Sequence, residues 1–240
     1  VGHIRGGLSH VAILASMVFS GVSGSAVADA SAIGSSMIPA MKDKGYPGAY
    51  AAAVVAAAST MGPIIPPSIA FVVYALVSDV SVGQLFLAGA IPGLLMGVYL
   101  LAAASWVAHR RNLPYSERTS LRAVGRAAWD ALPALAMPVI IIGGIVGGVV
   151  TPTEAGITAV LYAIVISVLF YRELTWRQTW HIFRECMVSS GIILLTIAAS
   201  GIFSWLVANL AIGETLATTL KTLTDSPWVM LALINIVLLL

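Results

Sequence analysis

The chain has 240 residues, of which 59% are hydrophobic and only 9% are charged. Soluble domains carry about 25% charged residues, so this composition excludes a sizeable water-soluble domain. The formal net charge of +2 is small, and we expect no nucleic-acid partner.

The remaining composition narrows the class further. The single cysteine, Cys186, excludes an internal disulfide, and the sequence shows no cluster of metal ligands. We therefore expect an all-α membrane protein, a polytopic helical bundle in the lipid bilayer, with no cofactor. The chain begins with Val1, shows no signal peptide and ends within the apolar run 231–240, so we expect an internal piece of a longer protein.

Eight apolar segments are separated by short polar joints: 8–20, 26–41, 47–77, 84–108, 129–149, 154–171, 186–210 and 227–240. A helix needs about 20 residues to cross a hydrocarbon core of about 30 Å. The four segments between residues 84 and 210 are long enough. The first two are shorter, and the Gly/Ser-rich joint Ser20–Ser25 connects them. They predict a re-entrant hairpin over residues 1–41, and one long kinked helix is the alternative.

The hairpin tip is the first candidate site. Gly21 and Gly24 permit turns with positive φ, and the helix that starts at Ala26 directs free N–H groups into the membrane, where they attract anions. Asp29 lies one turn into this helix. A charge at that depth costs about 2.5–3.5 kcal/mol, so Asp29 either faces a cavity or stabilises the helix N-terminus.

The tip also contains a motif of intramembrane serine proteases, Gly21-Val-Ser-Gly24. Such an enzyme needs a histidine base within hydrogen-bond reach of the nucleophile Ser23. The four histidines all lie at or beyond the ends of apolar segments: His3, His10, His109 and His181. We therefore expect a protein that is not an enzyme.

The segment 47–77 contains the strongest predicted break, at Ser59–Ser68. Proline has no N–H to donate to the carbonyl four residues back. Three carbonyls are therefore predicted to lose their helical partners, those of Ser59, Gly62 and Pro63. With the hydroxyls of Ser59, Thr60 and Ser68 beside them and no carboxylate near the break, these oxygens favour a small hard cation such as Na⁺.

The basic residues set the predicted topology. If both ends of the hairpin face the cytoplasm, eleven of the twelve Lys and Arg are cytoplasmic, with Lys221 the exception. This arrangement predicts basic cytoplasmic loops at 109–127 and 172–185.

Three smaller patterns predict local structure. Trp176, Trp180 and Phe183 predict a helix that lies in the membrane interface, while Thr151 and Glu154 predict a capped helix start. Two stripes of small residues predict close helix packing. They are Gly89, Gly93 and Gly97 in the first, and Gly143, Gly144, Gly147 and Gly148 in the second.

These motifs together resemble a known family. They are Ser23–Gly34, Ile38–Met41, Gly45–Pro47, Gly62–Ser68 and Gly148–Ala155. In order and spacing they are similar to those of the large membrane subunit of tripartite ATP-independent periplasmic (TRAP) transporters, over essentially the whole chain.

The resemblance implies Na⁺-coupled uptake of an organic acid, such as a C4-dicarboxylate or sialic acid, across the bacterial inner membrane. It implies a small membrane subunit and a periplasmic substrate-binding protein as partners. The implied Na⁺ site comprises Ser23, Gly24, Ser25, Ser59, Thr60, Gly62 and Pro63. The implied substrate contacts are Ser25, Ala26, Asp29, Pro66, Pro67 and Ser68.

The family's fold is an elevator-type arrangement of two inverted repeats. On that pattern, residues 1–77 form half of the transport domain, with the hairpin at 1–41 and the broken helix at 47–77. Residues 78–226 form linking and scaffold helices, and 227–240 begin a second hairpin. The second cation site is then expected outside these residues, and this piece alone is not expected to transport. An uncoupled channel-like or scaffold subunit is the alternative function.

Overall fold

The computed structural model describes residues 4–115, 120–172, 174–224 and 226–239. The first residues of the predicted hairpin 1–41 therefore lie outside the described residues. So do residues 116–119 and 173 of the two predicted basic loops, and Leu240 of the last segment. The chain divides into two compact units, Val1–Glu173 and Leu174–Leu240.

Every regular element of the described residues is a helix, which confirms the all-α class. The first unit contains α1 Gly7–Ser23, α2 Ala26–Asp43, α3 Gly48–Ser59, α4 Ile69–Ser78, α5 Val82–Arg110, α6 Leu121–Val146, α7 Pro152–Val165 and a π-helical turn Ile166–Phe170. The second contains α8 Trp176–Asn209, α9 Ile212–Leu223 and α10 Pro227–Leu239. Four helical stretches are long and apolar enough to cross a membrane, as the segment lengths predict: Val82–Arg110, Arg122–Val146, Pro152–Phe170 and Trp176–Asn209.

The hairpin α1–α2 has a shorter joint than predicted. Gly24 ends α1 in the left-handed region at φ 60° and donates its N–H to the Ser20 carbonyl, while Ser25 caps α2 by accepting from the Ala28 N–H. The six-residue joint Ser20–Ser25 is therefore wrong in extent, because residues 20–23 continue the helix. The two helices have 17 and 18 residues, about 26 and 27 Å at 1.5 Å per residue.

The predicted break between α3 and α4 is present over residues 60–68. The N–H of Gly62 donates to the Ser59 carbonyl at 3.0 Å, and the Ser68 hydroxyl donates to the Pro63 carbonyl at 2.6 Å. Neither carbonyl has its helical partner four residues on, as predicted, and the turns of the break supply other donors that the sequence did not indicate. The Pro66–Pro67 peptide bond is cis.

Helix α5 packs closely against the hairpin and the broken helix. A Cβ added at Gly93 would lie 2.6 Å from Ile65, and one at Gly97 would lie 2.5 Å from Met17. Gly89 is equally close to Phe71. The first glycine stripe is therefore confirmed as a packing surface.

The prediction of a second glycine packing stripe is wrong. Helix α6 ends at Val146, and Gly148 adopts a φ of 68° in the turn that follows. Residues 147–148 therefore close the end of α6 and form no helical face. The helix start at Thr151 is confirmed, since Thr151 and Glu154 form a reciprocal capping box.

The two predicted basic loops are shorter than expected. Helix α5 continues to Arg110, and α6 begins at Leu121. In the second unit, Thr175 and Gln178 form a capping box, so α8 begins at Trp176 and continues without interruption to Asn209. The predicted interface helix at 176–183 is thus the first part of one 34-residue helix.

Candidate functional site

The tip of the hairpin lies directly against the break between α3 and α4. A Cβ added at Gly24 would lie 2.9 Å from the Pro67 carbonyl oxygen and 2.9 Å from the Ile69 nitrogen. Both neighbours are backbone atoms, which side-chain rotation cannot move aside. The backbone at Gly24 therefore lies so close to the break that only glycine, which has no Cβ, fits at this position.

Gly62 makes the reciprocal contact from the break to the hairpin. A Cβ added there would lie 2.8 Å from the Ser25 carbonyl carbon, 2.9 Å from the Ala26 nitrogen and 2.8 Å from Asp29 Oδ2. The first turn of α2 thus lies against Gly62. Two glycines, one from each element, bring the tip and the break into contact.

Asp29 is buried at this contact and has no exposed surface. The hydroxyl of Ser20 donates to its Oδ2 at 2.5 Å, and the hydroxyl of Ser23 donates to its Oδ1. Asp29 also lies in the first turn of α2, where the helix dipole favours a negative charge. The carboxylate therefore bridges the last turn of α1 and the first turn of α2.

The predicted cation residues are divided between the hairpin tip and the break. From the hairpin, the Ser23 hydroxyl also accepts from the Ser25 N–H at 3.2 Å. From the break, the Ser59 hydroxyl donates to the Val55 carbonyl, and the Thr60 hydroxyl donates to the Ala57 carbonyl. Both of these hydroxyls therefore bond to their own helix.

Three of the predicted cation residues take part in the contact between the tip and the break: Gly24, Ser25 and Gly62. The described contacts of Ser59, Thr60 and Pro63 lie within their own segment, 55–68.

The predicted substrate residues differ in burial. Ser25 and Ala26 are half-buried at the start of α2, as is Pro67 in the break. Pro66 and Ser68 are buried, and Ser68 caps α4 by accepting from the Phe71 N–H at 3.3 Å. Among the predicted substrate residues, the accessible surface therefore lies on Ser25, Ala26 and Pro67.

The residues of the break did not themselves indicate a carboxylate there, although the family resemblance grouped Asp29 with Pro66, Pro67 and Ser68. The expected cluster of oxygens without a nearby carboxylate is wrong, because folding places Asp29 against Gly62. These positions are 33 residues apart. The only local signal was the presence of an acidic residue in an apolar helix.

The base of the hairpin is held by hydrogen bonds to the end of α5 and the residues that follow it. The Tyr46 hydroxyl donates to the Pro114 carbonyl at 2.9 Å, and His10 Nε2 lies 2.7 Å from Ser105 Oγ. Burial raises the pKa of Tyr46, an effect that the Leu8 N–H partly opposes, so the hydroxyl keeps its proton. His10 is thus engaged at the base, at the opposite end of α1 from Ser23.

Comparison with protein families identifies one match over the full length. Residues 1–240 match the family described as "Tripartite ATP-independent periplasmic transporter, DctM component".

Three curated relatives are each similar over the whole of this chain. The C4-dicarboxylate TRAP transporter large permease protein of Pseudomonas aeruginosa is 41% identical over 239 residues. The sialic acid TRAP transporter large permease protein of Vibrio cholerae is 40% identical over 239 residues. The 2,3-diketo-L-gulonate TRAP transporter large permease protein of Escherichia coli is 36% identical over 239 residues. This chain covers 100% of its own length and 56% of each relative's, so it spans about half the length of the relatives it matches.

Proposed function

This chain belongs to the DctM component family of tripartite ATP-independent periplasmic transporters, and on that premise we propose that it forms the first half-site of a Na⁺-coupled organic-acid importer. The family is one of transporter permeases, which is not an enzyme class. The observation that supports the proposal is the contact between the hairpin tip and the broken helix, made through Gly24 and Gly62. Irregular backbone within a membrane is tolerated where it is buried in protein or lines a cavity.

The cation is proposed to bind where the tip meets the break. Its candidate ligands are hydroxyl and carbonyl oxygens of Ser23, Gly24 and Ser25 on the hairpin, and of Ser59, Thr60, Gly62 and Pro63 on the break. Unwound carbonyls and half-helix ends hold coupling ions in transporters built from broken helices. Na⁺ is the proposed ion because these groups are hard oxygen donors.

The organic acid is proposed to bind beside the same tip. Free N–H groups at the start of α2, near Ser25 and Ala26, favour an anionic group. Pro66, Pro67 and Ser68 form the facing wall. The names of three relatives specify a C4-dicarboxylate, sialic acid and 2,3-diketo-L-gulonate, so an organic acid is the substrate class that we propose.

The proposed movement is elevator-like, with the hairpin and the broken helix moving as a block. We extend this block to α5, because its glycines at 89, 93 and 97 pack against residues of the hairpin and the broken helix. The proposed partners are a small membrane subunit and a periplasmic substrate-binding protein. The proposed location is the bacterial inner membrane.

Uptake by the full-length transporter tests the coupling. We expect accumulation of the acid in proteoliposomes with an inward Na⁺ gradient, and its loss when the gradient is collapsed. Equal flux with and without Na⁺ would contradict the proposal and favour an uncoupled channel-like or scaffold subunit.

Substitution at the tip tests the location of the site. We expect Ser25→Ala to raise the Na⁺ concentration for half-maximal uptake about tenfold, which corresponds to about 1.4 kcal/mol. Ser35→Ala is the matched control, because Ser35 lies in the same helix and is exposed. An unchanged Na⁺ requirement in Ser25→Ala would show that the site is misplaced.

A further inference from the structure

The surroundings of the buried Asp29 carboxylate are not explained by a role in contacting a substrate. Its side chain has no exposed surface, although Ser25 and Ala26 beside it are half-buried. Both of its oxygens accept hydrogen bonds from hydroxyls of α1. Asp29 is therefore shielded from solvent within this chain, whereas the neighbouring residues of the tip are partly accessible.

A buried carboxylate requires compensation for the water that it loses. An isolated buried charge is strongly unfavourable unless it is paired or hydrogen-bonded. The hydroxyls of Ser20 and Ser23 supply two hydrogen bonds, and the N-terminus of α2 adds a partial positive charge. Within the described residues, no Lys or Arg nitrogen lies within 4.0 Å of this carboxylate. Its compensation from the protein is therefore dipolar and leaves a net negative charge.

The position of this charge coincides with the contact between the tip and the break. Asp29 Oδ2 lies 2.8 Å from the Cβ position built on Gly62, the same position that lies 2.8 Å from the Ser25 carbonyl carbon. The Ser23 hydroxyl uses its proton to donate to Asp29. It also accepts from the Ser25 N–H, so its remaining lone pair is the part of that group available to another partner.

We propose that Asp29 is the fixed negative charge of the cation site and the residue that orients the Ser23 hydroxyl toward the cation. This inference rests on the proposed function, since it needs a cation between the tip and the break. Asp29 is then a positioning residue that acts through Ser23 and through its charge. It replaces the substrate role that the sequence suggested for this residue.

The charge also determines the order in which the two ligands bind. An empty site carries a net negative charge and repels an organic acid, whereas a bound cation neutralises it. Two sites coupled in this way raise each other's affinity by the same factor. The acid is therefore expected to bind more tightly when the cation is present.

Na⁺-dependent thermal stabilisation of the full-length membrane subunit in detergent tests this role without knowledge of the substrate. NaCl is varied at constant ionic strength with KCl as the replacement, so that general screening stays fixed. We expect Asp29→Asn to raise the half-saturating Na⁺ concentration at least about tenfold, because loss of a unit charge a few Å away weakens cation binding by at least that factor. Asp79→Asn is the matched control, since Asp79 is exposed at the end of α4.

A second variant keeps the test open if Asp29→Asn does not fold. Ser20→Ala retains the carboxylate and removes one of its two donors. We expect it to shift the half-saturating Na⁺ concentration by a smaller factor, about threefold.

The outcomes separate the inference from the function. If the wild-type protein responds equally to Na⁺ and K⁺, the proposed cation site fails and this inference fails with it. If the wild type responds to Na⁺ and Asp29→Asn has the same half-saturation, the inference is wrong and the proposed function stands. A lower melting temperature with unchanged half-saturation also overturns it, because that result describes a purely structural residue.

Discussion

The two ends of the hairpin are held in different ways. At the base, hydrogen bonds join the hairpin side to the last two turns of α5 and the residues that follow it: Tyr46 to Pro114, His10 to Ser105, and Arg5 to Asn112. At the tip, glycines bring backbone against backbone, and a buried carboxylate lies beneath the contact. The base is thus held by polar side chains that bond to one another and to the backbone, whereas the tip encloses an acidic side chain.

On the proposed function, the base contributes to stability and the tip to binding. Hydrogen bonds such as those at the base stabilise a fold by about 1 kcal/mol each. A buried carboxylate without a paired cation is costly to folding, and an acidic residue within a membrane helix favours a functional role. We therefore expect substitutions at the tip to change the response to Na⁺, and substitutions at the base to change stability alone.

Gly62→Ala is expected to have the largest effect and tests the tip. The added methyl group would lie 2.8 Å from Asp29 Oδ2 and 2.9 Å from the Ala26 nitrogen. Overpacking of this kind costs about 1–3 kcal/mol, and here it separates the tip from the break. We expect loss of Na⁺-specific stabilisation in the thermal unfolding assay.

The matched control is Gly125→Ala in α6. No heavy atom of the described residues outside its own helix turn lies within 4 Å of its added Cβ. This change is expected to stabilise the helix by about 0.5–1 kcal/mol. A normal Na⁺ response in Gly62→Ala would show that close contact at the tip is not needed for cation binding.

Tyr46→Phe is expected to have an intermediate effect and tests the base. It removes the hydroxyl that donates to the Pro114 carbonyl and accepts from the Leu8 N–H. We expect a loss of about 1–2 kcal/mol, seen as a melting temperature lower by a few degrees with unchanged Na⁺ half-saturation. Tyr99→Phe, at a residue with 73% exposure, is the control. A changed Na⁺ requirement in Tyr46→Phe would remove the distinction between the two ends.

Ser16→Ala is expected to have the smallest effect. Ser16 is buried in α1 between the base and the tip, and its hydroxyl has no hydrogen-bond partner within the described part of the chain. Removing an unpaired buried hydroxyl leaves stability unchanged or raises it by about 1 kcal/mol. Thermal unfolding of Ser16→Ala, measured together with that of Ser20→Ala, checks this. A large destabilisation of Ser16→Ala would mean that Ser16 has a partner in the full-length protein.

The local features of the fold could be predicted from the sequence. Pro63, Pro66 and Pro67 interrupt the helix whatever its tertiary contacts are. Thr151 and Glu154 cap a helix through contacts between residues three positions apart. The four membrane-spanning lengths follow from hydropathy alone. These features depend on neighbouring residues, which the sequence displays directly.

Features that depend on contacts distant in sequence, or on the detailed geometry of turns and helix ends, were missed or wrong. The approach of Asp29 to Gly62 needs the hairpin to fold onto the break. The partners of the Ser59 and Pro63 carbonyls come from turns whose geometry proline spacing does not specify. Gly147 and Gly148 were misassigned for a similar reason, because a packing stripe of small residues and the end of a helix have similar composition.

On the proposed function, the contact between the hairpin tip and the break holds a cation. A high-resolution structure of the full-length protein in NaCl tests it most directly. We predict cation density between the oxygens of Ser23–Ser25 and those of the break near Gly62, with the Ser23 hydroxyl still bonded to Asp29. A cation found elsewhere, with this contact empty in a preparation that Na⁺ specifically stabilises, would contradict the account.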